Sequence, residues 1–170
     1  MDEPTFRRNP GQEPSAVLTR DAYERLRDEL ERLITDGRRQ IAERLERARA
    51  HGDIRENAEF DAAKDAQGLM EARIRELQRL LNDPDIVETP AEADSVAPGV
   101  LVTVRLLDEN EEETYLVAAS KEERVDGVRT VTLDSPFGSA LLGRRAGDRV
   151  TYSAPGGTFA CEVLRLEPRA

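Results

Sequence analysis

From Thr19 onward, apolar side chains recur at steps of three and four: Tyr23, Leu26, Leu30 and Leu33 define one helical face behind a good N-cap residue. The stripe slips by one residue near Ile34 and resumes as Ile41, Leu45 and Ala48. The pattern therefore predicts one helix over 20–50 with a local change of register, weakest at Gly37. A second run is cleaner. Phe60, Ala63, Gln67, Met70, Ile74, Leu77 and Leu81 keep an apolar seam that only Gln67 interrupts. A seam of that kind requires a partner helix, and the nearest one is separated from it only by the stretch around His51-Gly52-Asp53. The simplest structure is an antiparallel helical hairpin with arms of roughly 45 Å at 1.5 Å rise per residue.

The periodicity changes after residue 82. Asn82-Asp83-Pro84-Asp85 stops the second helix, and Pro90, Pro98 and Gly99 mark a linker over 84–99. Alternating stretches at 100–106, 113–119, 130–133, 149–154 and 158–166 then predict β-strands, and Pro155-Gly156-Gly157 predicts a hairpin turn. Ser135-Pro136 followed by 137–142 predicts a short helix over one face of the sheet. The expected class is α+β: a coiled-coil hairpin domain over 18–83 and a β-sheet domain with a short helix over 100–170. Residues 1–17 mix Pro, Gly, Arg and Glu without periodicity and are expected to form a flexible arm.

Composition narrows the chemistry. Cys161 is the single cysteine and His51 the single histidine, which leaves no internal disulfide and no zinc site of the usual Cys/His kind. Cys161 falls within a predicted strand, where it reads as a small buried hydrophobe. The formal charge of −10 argues against wrapping duplex DNA and favours a protein partner. Acidic and basic residues nearly balance in the hairpin, so the excess acid lies in the C-terminal half. No apolar run approaches a membrane span and no signal core opens the chain, so a cytoplasmic protein is expected.

The segment Gly52-Asp53-Ile54-Arg55-Glu56-Asn57-Ala58-Glu59-Phe60 concentrates acids at the turn of the hairpin. Residues three apart on a helix are neighbours, so Asp53 and Glu56 would present their carboxylates side by side, with Glu59 further round. Two such groups can share Mg²⁺, an ion that takes six oxygens and usually keeps waters and substrate phosphates among them. They supply half a site, to be completed by another party. The same spacing is also that of a capping box, in which Asp53 accepts from backbone N–H groups and Glu56 reaches back over the first turn. Spacing alone favours the cap, but a cap requires neither a projecting hairpin nor a further acid at Glu59, so both roles stay open.

With these residues, Asp134-Ser135-Pro136, Ala140-Leu141-Leu142-Gly143 and Pro155-Gly156-Gly157, in order, the chain resembles the bacterial transcript cleavage factors of the GreA/GreB family over residues 18–167. The resemblance implies a coiled coil that enters the secondary channel of RNA polymerase and an FKBP-like C-terminal domain that docks on the channel rim. It implies that Asp53 and Glu56 help hold a second Mg²⁺ and the attacking water in the polymerase active site, with no metal bound tightly by the factor alone. Arg49 and Lys64 correspond to a basic surface facing the backtracked RNA 3′ end, although both also read as ordinary solvated helix charges. Asn57, Glu59 and Phe60 would support the tip, and Phe60 departs from the tyrosine usual in the family. Asp134, Ser135 and Pro136 would contact the polymerase rim, although Ser135-Pro136 also serves simply to start a helix. The implied protein is a monomer that hydrolyses no RNA by itself.

Three rival functions share these features, one of them a plain coiled-coil adaptor that no feature of the sequence favours over the first reading. A secondary-channel binder could inhibit polymerase without promoting cleavage, and retention of both tip acids counts against it. A prolyl isomerase would need an aromatic-lined pocket, for which the C-terminal half offers Tyr115, Phe137, Tyr152 and Phe159.

Overall fold

A computed structural model describes residues 11–50 and 54–169, the side chains of residues 54–57 excepted. Among these residues the chain forms two units, 11–15 with 23–84 and 16–22 with 85–169.

The N-terminal unit is helical. Helix α1 (Arg20–Arg32) enters it at Tyr23 and runs through a π-helical turn (Leu33–Gly37) into α2 (Arg38–Ala50), and α3 (Ile54–Leu81) packs against α2. Leu26, Ala48, Ala63, Ile74 and Leu77 are buried along the seam that the periodicity predicts; at the end of α3 the buried residue is Leu80, whereas the expected Leu81 is half-buried. Each leucine fully removed from water contributes about 1.5–3 kcal/mol. The slip near Ile34 has a structural cause, because the Arg38 N–H donates to the Leu33 carbonyl five residues back. The wider turn absorbs one extra residue and so accounts for the one-residue offset between the stripe that ends at Leu33 and the one that resumes at Ile41. Gly37 lies where the helices approach closely, and a Cβ there would come within 2.8 Å of Met70 Sδ. Two bidentate pairs tie the helices at their surface: Arg38 to Glu71 at 2.8 and 2.9 Å, and Arg73 to Glu29 at 2.8 and 3.0 Å. The Arg38 guanidinium holds the Glu71 carboxyl below its ordinary range.

The end of the expected flexible arm is ordered. The Ser15 hydroxyl donates to the Leu80 carbonyl at 2.9 Å and accepts from the Asp83 N–H at 3.1 Å, and the Ser15 N–H donates to the Asp83 carbonyl at 2.9 Å. These bonds satisfy backbone groups left over where α3 ends.

In the C-terminal unit, β1 (Val17–Thr19) pairs in parallel with β2 (Asp85–Val87), Leu18 opposite Ile86. The main sheet comprises β3 (Val100–Leu106), β4 (Glu111–Ala118), β5 (Arg129–Thr132), β6 (Arg149–Ala154) and β7 (Gly157–Pro168), in the order β5-β4-β3-β7-β6. All neighbours are antiparallel except β4 and β5. The register along β3 and β7 shifts between Thr103 and Val104, where β7 carries one extra residue. That bulge switches the inward parity of β7 from Cys161 and Val163 to Leu166.

Helix α4 (Pro136–Leu141) contacts β5 and β6, and Leu141 joins Val102, Val104, Val117, Val150, Cys161 and Val163 in the core. Most of the expected linker is not free chain. Val96 is buried in this core, its N–H donating to the Arg144 carbonyl and its carbonyl accepting from the Gly143 N–H, both at 2.8 Å.

Candidate functional site

Helix α3 opens at Ile54, and Glu56 is its third residue. His51, Gly52 and Asp53 lie outside the described residues, and Glu56 and Asn57 are described in backbone alone. The joint position of the Asp53 and Glu56 carboxylates, and the capping alternative for them, therefore fall outside the described side chains. Glu59, one turn further along α3, is exposed and Phe60 is half-buried.

The described neighbours of the turn have definite partners. The Arg49 guanidinium lies 5.5 Å from the centroid of the Phe60 ring, joining α2 to α3 by a cation–π contact that at an exposed site is worth about 0.5–1 kcal/mol. The contact uses the face of the ring, so phenylalanine can make it without a tyrosine hydroxyl. Lys64 follows Phe60 by four residues and so shares its face of α3; its ammonium donates to Gln67 Oε1 at 3.0 Å. Arg49 and Lys64 are both exposed and keep N–H donors available to an anion.

The Asp134-Ser135-Pro136 element opens the short helix α4. The Ser135 hydroxyl donates to the Thr132 carbonyl at 2.7 Å and accepts from the Gly138 N–H at 3.0 Å, while Pro136 takes the first helical turn. Ser135 is thus the N-cap of α4, its hydroxyl bonded on both sides. Asp134 and Pro136 are exposed on either side of it. Gly138 is required: a Cβ there would fall on the Thr132 carbonyl oxygen and within 2.8 Å of its carbon.

The four aromatic residues of the C-terminal half form a continuous row. Tyr115 meets Phe137 edge-on at 5.1 Å, Phe137 meets Tyr152 at 4.5 Å, and Tyr152 stacks with Phe159 at 5.6 Å. The Tyr115 hydroxyl donates to Glu113, which also pairs with Arg129 at 3.3 Å. Burial and the Glu113 carboxylate push the Tyr115 hydroxyl up to about 12. The rings cover one another, which is the behaviour of core side chains.

Two features had no local pattern to reveal them. One is the tie of Ser15 to the end of α3, and the other is the burial of Glu123, whose carboxylate takes hydrogen bonds from Thr19 and Ala119. Partners 65 and 104 residues apart leave no spacing to read.

Residues 16–86 match the family model described as transcription elongation factor, N-terminal, and residues 90–168 match the one described as transcription elongation factor, GreA/GreB, C-term. The chain is 40% identical to transcription elongation factor GreA of Thermotoga neapolitana over 152 residues, covering 89% of this chain and 97% of that protein. It is 42% identical to the GreA of Chloroflexus aggregans over 155 residues, covering 91% and 98%. The crystal structure of GreA factor homolog 1 of Thermus thermophilus is 27% identical, covers 89% of this chain and 98% of that one, and gives a TM-score of 0.40. The family therefore rests on the sequence matches.

Proposed function

The chain belongs to the GreA/GreB family of transcription elongation factors, and on that premise we propose that it carries Asp53 and Glu56 through the secondary channel of RNA polymerase to stimulate cleavage of backtracked RNA. The observation that carries this reading is the acidic run from Asp53 to Glu59 at the turn of a helix pair, in a chain matched to the family along nearly its whole length.

The donor chemistry of the two tip residues suits Mg²⁺, because carboxylate oxygens are the hard ligands this ion prefers. Asp53 and Glu56 would hold it jointly with the polymerase's own carboxylates and the RNA phosphate. When bound there, the ion stabilises the attacking and leaving oxygens of an in-line hydrolysis. This chain's residues do the rest. Arg49 and Lys64 offer N–H donors to the phosphates of the extruded 3′ segment, Phe60 stacks against Arg49, and Asn57 and Glu59 would support the tip. Alone, the factor lacks the remaining metal ligands and should hydrolyse no RNA. It acts as a monomer in the cytoplasm; among the described residues no helix is long and apolar enough to cross a membrane.

The test is release of short 3′ RNA fragments from stalled, backtracked elongation complexes with Mg²⁺ and purified protein. A channel binder that only inhibits would slow elongation and release none. RNA hydrolysis by the highly purified factor without polymerase would overturn the shared-site reading.

Docking is tested separately. Asp134→Arg places a cation on an exposed position beside the α4 N-cap without touching the Ser135 bonds. Its affinity for polymerase, measured by competition with labelled wild type, should fall roughly tenfold, about 1.4 kcal/mol. Unchanged affinity would remove Asp134 from the interface.

A further inference from the structure

Residues 142–149 lead from α4 into β6 and hold three arginines, Arg144, Arg145 and Arg149, all exposed. The backbone of this loop is fixed on both sides. The Gly143 N–H donates to the Val96 carbonyl and the Arg144 carbonyl accepts from the Val96 N–H, both at 2.8 Å. Further on, the Gly147 N–H donates to the Val163 carbonyl at 2.7 Å and the Asp148 carbonyl accepts from the Val163 N–H at 2.9 Å. The acid of the loop is engaged as well, Asp148 Oδ2 accepting from the Arg145 N–H at 2.8 Å.

The arginine side chains are not committed in this way. Arg144 Nε donates to the Ala140 carbonyl at 3.3 Å, which leaves its terminal nitrogens available, and the guanidinium groups of Arg145 and Arg149 have no partner among the described residues. Arg149 stands opposite Glu162 in register yet makes no ion pair with it. The other arginines of the sheet are paired: Arg105 with Glu112 at 2.8 Å, Arg129 with Glu113 at 3.3 Å and Arg165 with Glu167 at 3.1 Å. In a chain with 35 acidic against 25 basic residues, three grouped cations without a carboxylate partner go against the composition. Leu142, at the head of the same loop, is 48% exposed.

We infer that Leu142, Arg144, Arg145 and Arg149 form a docking surface for an acidic segment of RNA polymerase, lying after α4 as Asp134 lies before it. This rests on the reading that the chain binds polymerase. A helix of six residues is about 9 Å long, so one interface of ordinary size can cover both ends of α4. The partner's charges are then the reverse of these, basic against Asp134 and acidic against the arginines, with an apolar side chain for Leu142. A protein fits this surface better than nucleic acid does. A chain of net charge −10 repels a polyanion, whereas a few carboxylates meet the arginines at contact range, inside a Debye length of about 8 Å. Arginine beside an apolar residue suits a protein interface, and a backbone already fixed has little order left to lose on binding.

The test measures the affinity of full-length variants for core polymerase free of nucleic acid, by competition with labelled wild type. Arg145→Glu and Arg149→Glu should each weaken binding roughly tenfold, and Arg145→Gln, Arg149→Gln and Leu142→Ser roughly threefold. Lys121→Glu makes the same charge change at an exposed position of the same unit and should leave affinity within about twofold. Wild-type binding should weaken as salt rises, and the arginine reversals should flatten that dependence. Circular dichroism and melting check each fold; if a reversal unfolds, its glutamine variant carries the test. Wild-type affinity in both arginine reversals would overturn the proposal, as would an equal loss in Lys121→Glu, which would mark the effect as one of net charge. A loss confined to complexes that contain nucleic acid would overturn it too, because the loop would then be meeting phosphate. If wild type does not bind polymerase, the proposed function fails and this inference with it. If wild type binds and Asp134→Arg weakens it while the arginine variants bind normally, this inference alone fails.

Discussion

Asp53→Asn is expected to lower the saturated rate of 3′ RNA release at least about a hundredfold while leaving both melting temperature and polymerase affinity near wild type. The substitution separates the two roles that the spacing allows. Asparagine caps a helix about as well as aspartate, so a residue that merely closes the first turn of α3 would tolerate the change. A carboxamide has no charge and is a poor partner for Mg²⁺, so a residue that completes a metal shell would not. Asp53→Ala and Glu56→Ala should lose cleavage to a similar degree, and Asp53→Ala should also lose about 1 kcal/mol of stability if it caps as well. Normal fragment release by Asp53→Asn would reduce the tip acids to a cap and remove the basis of the mechanism.

The largest effect on stability is expected at Gly138. A methyl group there meets the Thr132 carbonyl, a backbone group already accepting from the Ser135 hydroxyl and N–H. Neither side can withdraw easily. Gly138 is itself held by its N–H to Ser135 Oγ and by its carbonyl to the Leu142 N–H, so relief means lifting α4 from β5 and opening the core around Leu141. Gly138→Ala should destabilise the C-terminal unit by about 4 kcal/mol or more, which places it among the severe single substitutions. Ser139→Ala, exposed on the same helix, should stay within about 0.5 kcal/mol. Chemical denaturation followed in the far ultraviolet distinguishes them, and equal midpoints would mean that α4 has room to move.

Particular residues show which parts of this fold a sequence exposes. The helices were legible because each repeats its apolar position many times, and even the slip at Ile34 was visible as a one-residue offset between Leu33 and Ile41. The main strands were legible for the same reason, bounded by turn residues such as Pro155-Gly156-Gly157. β1 and β2 were not: three residues each, they hold no period, and their partners lie 68 positions apart. Val96 looked like linker because its neighbours are small and acidic, and only the backbone of Gly143 and Arg144 makes its segment part of the core. At the site, the acidic run and the Asp134-Ser135-Pro136 element stood out as local clusters of unusual chemistry. The stacking of Arg49 on Phe60 depends on two helices coming together and had no sequence signature.

The widened turn between α1 and α2 amounts to a vernier. Counted along the backbone, the outgoing arm carries one residue more than its apolar stripe requires, and that surplus is stored in a single loop of the spiral rather than spread along the rod. The spare position is therefore the one the arm can lose. Excising Asp36, which faces solvent, would let the rod run on as an ordinary α-helix with Ile41, Leu45 and Ala48 still aimed at their mates. Excising Glu43 instead would swing everything after it by about 100° and leave the far end of the arm without its grip.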